Sequence, residues 1–197
     1  MNKPFSQACE NNKISILPLL VESLKESKTV LEVGSGTGQH AVYFAPNLPW
    51  LNWQTSDMLL NHQGINQWLS EYPSKNLLSP LALDLNHNWP IEKVDAIYTA
   101  NTLHIVSWSL VQAFFEGVSK HLNKHGKLCI YGPFNYQGKY TSESNAGFDL
   151  WLKERDSQSA IRDFEEIIQS AKSANLALEN DHAMPANNRL LVFKKIA

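Results

Sequence analysis

The stretch that decides the fold reads TVLEVGSGTGQHAVYFA and runs from Thr29 to Ala45. Apolar and β-branched residues at 29–33 predict a buried strand, and the apolar-periodic run after the glycines predicts a helix. Three glycines at alternate positions lie between the two. Such a turn lets the backbone approach a ligand closely, and the first N–H groups of the helix favour a negative group. We expect a ligand site here, although a tight turn that binds nothing is the alternative.

The rest of the chain repeats this alternation of strand and helix. Further strands are predicted at 52–57, after Pro80 within 76–85, and at 94–100, 126–134, 176–184 and 189–197. Further helices are predicted at 14–27 with a regular start near Pro18, at 58–72 with an interruption at Gly64, and at 107–122, 148–155 and 160–174. The pattern indicates the α/β class, with a mostly parallel sheet covered by helices on both faces. Residues 185–188 are too few for a crossover helix, so the last two of the seven strands should be antiparallel.

The composition fits one domain over residues 1–197. An apolar fraction of 43% is enough for a core, and a formal charge of -2 gives no basic footprint for nucleic acid. Two cysteines make neither a disulfide scaffold nor a zinc finger, and residues 1–13 hold no signal-peptide core. We expect a cytoplasmic protein that acts on a small molecule, without membrane span or metal site and with its oligomeric state open. Within the domain, 1–27 should form a helical cap and 133–158 a substrate-side loop and helix.

The spacing of the glycines distinguishes between nucleotide ligands. A dinucleotide fingerprint needs a third glycine where the sequence has Gln39, and a P-loop needs a Gly-Lys-Ser/Thr that the stretch lacks. The pattern present is Glu-x-Gly-x-Gly-x-Gly from Glu32 onward, which resembles the S-adenosylmethionine loop of class I methyltransferases. A nicotinamide cofactor is a weaker alternative, because a carboxylate such as Asp57 suits the ribose of either molecule.

The chemistry of S-adenosylmethionine indicates further contacts at the carboxyl ends of the strands. Asp57, after the second strand, suits the ribose hydroxyls, and Asp84, after the third, suits the adenine amine. Met58 and Leu85 can pack against the adenine, and Asn101 can contact the methionine end. For Asp84 a strand-end cap is the alternative, and for Met58 a plain core position. The candidate cofactor residues are Glu32, Gly34, Ser35, Gly36, Gly38, Asp57, Met58, Asp84, Leu85 and Asn101.

The fourth strand ends in TANTLHI, residues 99–105, where a parallel sheet carries its chemistry. His104 in this run can orient or deprotonate a nucleophile. A histidine that only packs and bonds a backbone group is an equal alternative. Tyr131 and Tyr136, in and after the fifth strand, are the further catalytic candidates.

The segment YGPFNYQGKYTSESNAGFD, residues 131–149, combines aromatic and polar side chains. A long segment leaving a central strand is typical of a substrate site, although a self-packed surface loop is the alternative. Its candidate substrate residues, with His104, are Phe134, Tyr136, Tyr140, Asn145 and Phe148. Farther along, Arg162 is expected to reach an acidic partner such as Asp149 or Asp156.

Five stretches carry a resemblance to a known family: GSGTGQHAVYFA, NTLHIVSW, YGPFNYQGKYTSESNAGFD, AIRDFEEI and MPANNRLLVF. Together they resemble the methyltransferase-like protein 26 family over nearly the full length. The resemblance implies a class I methyltransferase fold with sheet order 3-2-1-4-5-7-6 and S-adenosylmethionine as ligand. The chain departs from the family at Asn11 and Ser15, where members tend to have arginine and proline. Glu10 and Asn12 keep the family pattern and are added to the candidate substrate residues.

These observations predict that the protein is an enzyme that transfers a methyl group. The donor is S-adenosylmethionine, the acceptor is small and aromatic or planar, and the reaction is an in-line displacement that depends mainly on positioning. Two alternatives stay open. One is a non-catalytic module that binds S-adenosylmethionine or a metabolite, and the weaker one is a nicotinamide-dependent oxidoreductase.

Overall fold

The computed structural model describes residues 3–196, so Met1, Asn2 and Ala197, at the ends of the expected cap and last strand, lie outside it. Its helices are α1 (Gln7–Ser23), α2 (Gln39–Asn47), α3 (His62–Glu71), α4 (Trp108–His121), α5 (Glu143–Arg155) and α6 (Phe164–Ser173). Its strands are β1 (Thr29–Val33), β2 (Asn52–Asp57), β3 (Leu77–Ala82), β4 (Val94–Ala100), β5 (Leu122–Gly132), β6 (Phe134–Asn135), β7 (Arg162–Asp163), β8 (Leu176–Met184) and β9 (Asn188–Lys195). Short 3-10 turns occupy Leu59–Asn61 and Pro185–Asn187.

Within residues 3–196, seven strands form one sheet in the order β3-β2-β1-β4-β5-β9-β8. β9 runs antiparallel to both of its neighbours, whereas the pairs from β3 to β5 are parallel. β6 and β7 pair only with each other, and without them the order is 3-2-1-4-5-7-6. This confirms the expected α/β fold class. The strand order reverses between β1 and β4, which is where open sheets of this kind bind ligands.

Two apolar clusters cover the two faces of the sheet. Neighbouring residues of one strand, such as Leu31 and Val30, belong to different clusters because side chains alternate across a strand. One cluster packs α4 and α6 against the sheet, and the other packs α1 and α2. No helix in residues 3–196 combines the length and the apolar character that a membrane crossing requires.

The helix α1 starts earlier than the prediction near Pro18. The Ser6 hydroxyl caps it by accepting a hydrogen bond from a backbone N–H of the first turn, and the helix continues through Pro18. A proline inside a helix removes one hydrogen bond. Here that loss is outweighed because Ile16 and Leu20 are fully buried in the cluster that also holds α2.

Two further residues act differently from expectation. Gly64 does not interrupt α3, because its missing side chain makes room for Pro4, whose Cγ would lie 2.5 Å from a Cβ added there. Pro80 lies inside β3 rather than before it. β3 is an edge strand that pairs only with β2, with a register shift at this point, and an edge strand tolerates the missing N–H.

The segment after β5 is more ordered than predicted. β5 begins at Leu122 rather than Gly126, and α5 begins at Glu143, five residues before the helix predicted at 148–155. α5 begins there because the Ser142 hydroxyl accepts from Asn145 N at 3.1 Å. α6 begins only at Phe164, since the two residues before it form β7 and pair with β6.

Candidate active site

A cavity of about 1490 Å³ lies at the carboxyl ends of β1, β2, β4 and β5. Residues 4–12 line one side of it, α5 lines another, and residues 185–188 complete its wall. A site for one small molecule typically measures about 300–1,000 Å³. The cavity is therefore large enough to hold a cofactor and an acceptor together.

The glycine turn between β1 and α2, residues 34–38, has a backbone that few other residues adopt. Gly34, Gly36 and Gly38 have φ values of +74°, +58° and +89°. A Cβ added to Gly36 would meet nothing within 4 Å, and Gly36 lines the cavity. The turn therefore exposes bare backbone to the cavity at Gly36, as close approach of a ligand requires.

The outer two glycines serve packing as well. A Cβ at Gly34 would lie 2.7 Å from Thr102 Oγ1, and one at Gly38 would lie 3.2 Å from Ile65 Cα. The first contact joins the glycine turn to the end of β4, and the second joins it to α3. Gly34 lines the cavity, whereas Gly38 packs behind it.

Asp57 ends β2 beside this turn, and its carboxylate is held in a fixed position. It accepts hydrogen bonds of 2.7 Å from Gly36 N, Met58 N and Asn61 Nδ2. Asp57 lines the cavity together with Met58 and Asn61. A carboxylate that is already oriented by three donors presents its remaining lone pairs to the cavity without further ordering.

Glu32 lies behind the glycine turn rather than in the cavity lining. Its carboxyl group accepts from Ser35 Oγ at 2.9 Å and from Trp53 Nε1 at 3.1 Å. Burial raises the pKa of Glu32 to about 7. Ser35 lines the cavity, so the Glu32 carboxyl group supports a residue of the lining.

The adenine contacts expected after β3 are not brought to the cavity. Asp84 accepts from Asn86 N at 2.9 Å and lies 3.1 Å from His87 Nδ1, and Leu85 packs against the α4 side of the core. Neither residue is part of the cavity lining. The apolar lining near Asp57 comes instead from Met58 and from Leu60, a residue that the sequence analysis missed although it lies in the same MLLN run.

His104 lies in the turn between β4 and α4, and its ring borders the cavity. It is 5% exposed, and its ring nitrogens have no hydrogen-bond partner within residues 3–196. Burial, and then the charge of Arg162, lower the pKa of His104 to about 4. The imidazole is therefore neutral at pH 7, and the same two causes make it a weaker base than an exposed histidine.

Asn101 and His104 face a common space. A Cβ added to Gly132 would lie 3.6 Å from His104 Nδ1 and 4.0 Å from Asn101 Oδ1. Asn101 has a φ of +57°, and its backbone N–H donates to Tyr131 O at 2.9 Å. Non-glycine residues held at positive φ are often found at functional sites. The bare backbone of Gly132 thus leaves room beside two polar groups.

A second buried histidine, His40 on α2, also lines the cavity and was missed by the sequence analysis. Burial lowers its pKa to about 4. Its nitrogens are engaged: Nε2 lies 2.7 Å from Asn12 Oδ1, and Nδ1 lies 3.4 Å from the Tyr98 hydroxyl. His40 lies in an apolar-periodic run, a pattern that predicts a core residue and no chemical role. Its two ring contacts are typical of a histidine that stabilises the fold.

Several predicted substrate and catalytic residues meet at the cavity. Asn12, Asn145 and Tyr131 line it, and the ring of Phe148 lies edge-on to His104 with centroids 5.4 Å apart. Burial raises the pKa of the Tyr131 hydroxyl, and a hydrogen bond with Asn12 partly offsets this. The group combines an aromatic wall with amides and one neutral imidazole.

Four other candidate residues do not line the cavity. Phe134 is buried in the core on the α4 side, and the Tyr136 hydroxyl donates to Asp181 at 2.8 Å while the ring stacks on Phe164. Phe134 belongs to β6, which pairs with β7. Of the other two residues, Tyr140 donates its hydroxyl hydrogen to Asp149 at 2.7 Å, and Glu10 accepts from Gln39 Nε2 at 2.6 Å.

Arg162 does not reach Asp149 or Asp156, which corrects the expected ion pair. Its guanidinium donates to the carbonyl oxygens of Leu103 and Val106, beside His104. No group of three or more His, Cys, Asp or Glu side chains in the described part of the chain is arranged to hold a metal ion.

Solved structures share this fold at low sequence identity. An O-methyltransferase family protein from Burkholderia thailandensis matches with a TM-score of 0.83 at 14% identity, over 94% of this chain and 56% of its own. An O-methyltransferase family 2 protein from Planctomyces limnophilus in complex with apigenin matches with a TM-score of 0.85 at 16% identity, over 96% and 58%. Human N-acetylserotonin methyltransferase in complex with S-adenosylmethionine matches with a TM-score of 0.81 at 13% identity, over 97% and 53%.

The chain spans little more than half the length of these proteins, and at such identities the likeness shows a shared fold. A match of a different kind comes from a family described as "Protein of unknown function (DUF938)", which covers residues 3–195. Because this match extends over nearly the whole sequence, the chain belongs to the DUF938 family.

Proposed function

We propose that this protein transfers a methyl group from S-adenosylmethionine to a hydroxyl group of a small planar acceptor. The observation that carries the proposal is that one continuous cavity joins the glycine turn and Asp57 to the neutral imidazole of His104. The methyltransferase names of the similar structures support it, as does the bound S-adenosylmethionine of the human one. We also infer kinship with the methyltransferase-like protein 26 family from the stretches that resemble it.

The residues at the β1 and β2 ends fit S-adenosylmethionine. Gly36 offers open backbone for its methionine end, Asp57 suits its ribose hydroxyls, and Met58 and Leu60 give an apolar side for the adenine. Asn101, at the end of β4, can contact the ammonium group. When bound, this cofactor supplies a methyl group on a positively charged sulfur, and the methyl carbon bonds to the acceptor as its bond to sulfur breaks.

The side chains near the β4 and β5 ends fit a hydroxyl acceptor. His104 is neutral at pH 7, so it can take the hydroxyl proton as the oxygen bonds to the methyl carbon. His40 is not suited to this task because both of its nitrogens are engaged. Phe148 and Tyr131 provide an aromatic wall, which suits a planar acceptor.

The surroundings of Gln39 argue against a nicotinamide cofactor. Its side-chain oxygen accepts from Ser6 N at 2.5 Å, and its amide nitrogen donates to Ser6 O at 3.3 Å. A dinucleotide site uses glycine at this place for close packing of helix and strand. Here the side chain of Gln39 instead bonds the backbone of Ser6 and so holds the N-terminal segment next to the glycine turn.

Calorimetry with S-adenosylmethionine and with its demethylated product tests the cofactor assignment. We expect both to bind the wild-type chain, and we expect Gly36→Leu to weaken binding by about 100-fold or more, since its side chain would enter the cavity. Gly138→Leu is a matched control. Gly138 has a φ of +68°, a Cβ added there would meet nothing within 4 Å, and it lies outside the cavity lining.

Folded wild-type protein that binds neither compound would overturn the cofactor assignment. Equal weakening by the two glycine variants would attribute the effect to backbone strain and not to occupancy of the cavity. Transfer of labelled methyl groups to the small-molecule fraction of a cell extract tests catalysis. Binding without any transfer would favour the non-catalytic module.

A further inference from the structure

We propose that Arg162 is a positioning residue that holds the turn carrying His104, residues 101–107, and so orients the imidazole in the cavity. The inference rests on the proposed function, because it assigns a supporting group to the proposed base. Arg162 lies in β7 and is not among the residues that line the cavity.

The turn is held by one later segment, residues 158–162. Four consecutive carbonyl oxygens, those of residues 103–106, each accept a hydrogen bond from it. The donors are Arg162 Nε to Leu103 at 3.0 Å, Ala160 N to His104 at 3.0 Å, Ser159 Oγ to Ile105 at 2.5 Å and Arg162 Nη2 to Val106 at 2.5 Å. The backbone on both sides of His104 is therefore fixed from outside the turn.

Burying the guanidinium of Arg162 costs free energy. The residue is 9% exposed and forms no salt bridge within residues 3–196; burial lowers its pKa, although the charges of Glu166 and Asp149 act to raise it. A buried cation without an ion pair is costly unless its hydrogen bonds are satisfied, and here carbonyl oxygens satisfy them. Its guanidinium also lies 5.8 Å from the ring centroid of Trp108. Besides these hydrogen bonds, the charge of Arg162 has a second consequence.

That consequence acts on the imidazole. A positive charge close to a histidine disfavours its protonated form. Burial and the charge of Arg162 act in the same direction on the pKa of His104. Arg162 thus fixes the position of the ring and helps to keep it unprotonated.

The holding segment is itself attached to α5. Asp149 Oδ1 accepts from Ile161 N at 2.7 Å, and Asp149 Oδ2 accepts from Lys153 Nζ at 2.6 Å. Asp149 follows Phe148, the residue that packs edge-on against the His104 ring. The backbone and the ring of His104 are therefore held by two parts of the chain that are bonded to each other.

An NMR titration of the His104 ring in the full chain tests the proposal without a known acceptor. Arg162→Gln removes the charge, and we expect the pKa of His104 to rise by about one unit or more. Arg162→Lys keeps the charge but cannot reach both carbonyl groups, so the pKa of His104 should stay low while methyl transfer falls about tenfold. Arg189→Gln is the control, because it removes a cation that pairs with Asp181 away from the cavity.

A folded Arg162→Gln protein in which both the pKa and the ring resonances of His104 are the same as in the wild-type chain would overturn the proposal. If that variant does not fold, Ser159→Ala removes one donor to the same turn without changing charge. We then expect broadened His104 ring resonances, and unchanged resonances would overturn the proposal equally. A wild-type protein that transfers no methyl group defeats the proposed function alone, since the titration still reports on the positioning.

Discussion

The turn after β1 and the turn after β4 meet at one edge of the sheet, but they are held in different ways. In the first, Gly34 N and Ser35 N donate to Ser56 O and Gly36 N donates to Asp57, all on the next strand. The second depends on residues 158–162, far along the chain. The proposed cofactor side is thus built locally, and the proposed chemical side is built by long-range contacts.

The largest expected effect concerns the second turn. His104→Gln removes the proposed base, and we expect methyl transfer to fall by about 100–10,000-fold. The affinity for S-adenosylmethionine should stay within about twofold, because the glycine turn is untouched. Initial rates and calorimetry measure the two quantities.

The control for that substitution is His87→Gln, at an exposed site outside the cavity. It should leave rate and affinity unchanged. A His104→Gln protein with the wild-type rate would show that the second turn does not supply the base.

The contact between the two turns gives the next effect. Gly34→Ala introduces a side chain at positive φ and 2.7 Å from Thr102 Oγ1, so we expect a loss of about 2–4 kcal/mol in the free energy of unfolding. Gly138→Ala, with similar φ and open space, should lose only about 1–2 kcal/mol. Chemical denaturation measures both. Thr102→Ala, added to the Gly34→Ala protein, should restore part of the lost free energy of unfolding. No restoration would mean that the added methyl group does not clash with Thr102.

A smaller effect concerns the attachment of the second turn to α5. Although burial raises it, hydrogen bonds from Lys153, Tyr140 and Ile161 N give the pKa of Asp149 a net lowering. A lowered folded-state pKa stabilises the fold above the unfolded-state pKa, and this stabilisation is lost as pH falls through the folded-state pKa. Asp149→Asn should therefore cost about 1–3 kcal/mol at pH 7 and less below pH 3. Equal losses at both pH values would contradict this assignment.

The smallest expected effect is on the pH dependence of transfer. Because the pKa of His104 is about 4, the base is unprotonated at all higher pH values. The rate should change less than about twofold between pH 5.5 and 8 and fall only under more acidic conditions. A rate that falls with a midpoint near 6.5, the ordinary value for histidine, would contradict the lowered pKa of His104.

The same contrast explains how much could be predicted from sequence. The antiparallel edge and the glycine turn follow from periodicity and from spacings within a few residues, so they were accessible, whereas the sheet order was expected only from the resemblance to a known family. His104 was found because strand ends carry chemistry in parallel sheets. The partners of Arg162 were not accessible, since the carbonyl groups it bonds carry no sequence signature.

The sequence also did not predict which side chains face the cavity after a strand ends. Residues 131–149 were expected to form a substrate site, yet Tyr136 does not line the cavity and donates to Asp181 on β8 instead. Asp84, after β3, does not line it either and bonds Asn86 N. Composition identified chemically useful side chains, but only the pairing of distant segments determines which of them face the cavity.

The cavity wall includes residues 4–12 and residues 185–188, which come from near the two ends of the described chain. A molecule that binds there contacts segments that must both be folded, so its binding energy is coupled to unfolding of the whole domain. A ligand at 100 times its dissociation constant adds about 2.7 kcal/mol to the free energy of unfolding. Thermal unfolding of this small domain is therefore a direct screen for its acceptor, because any compound that fills the cavity raises the melting temperature whether or not it reacts.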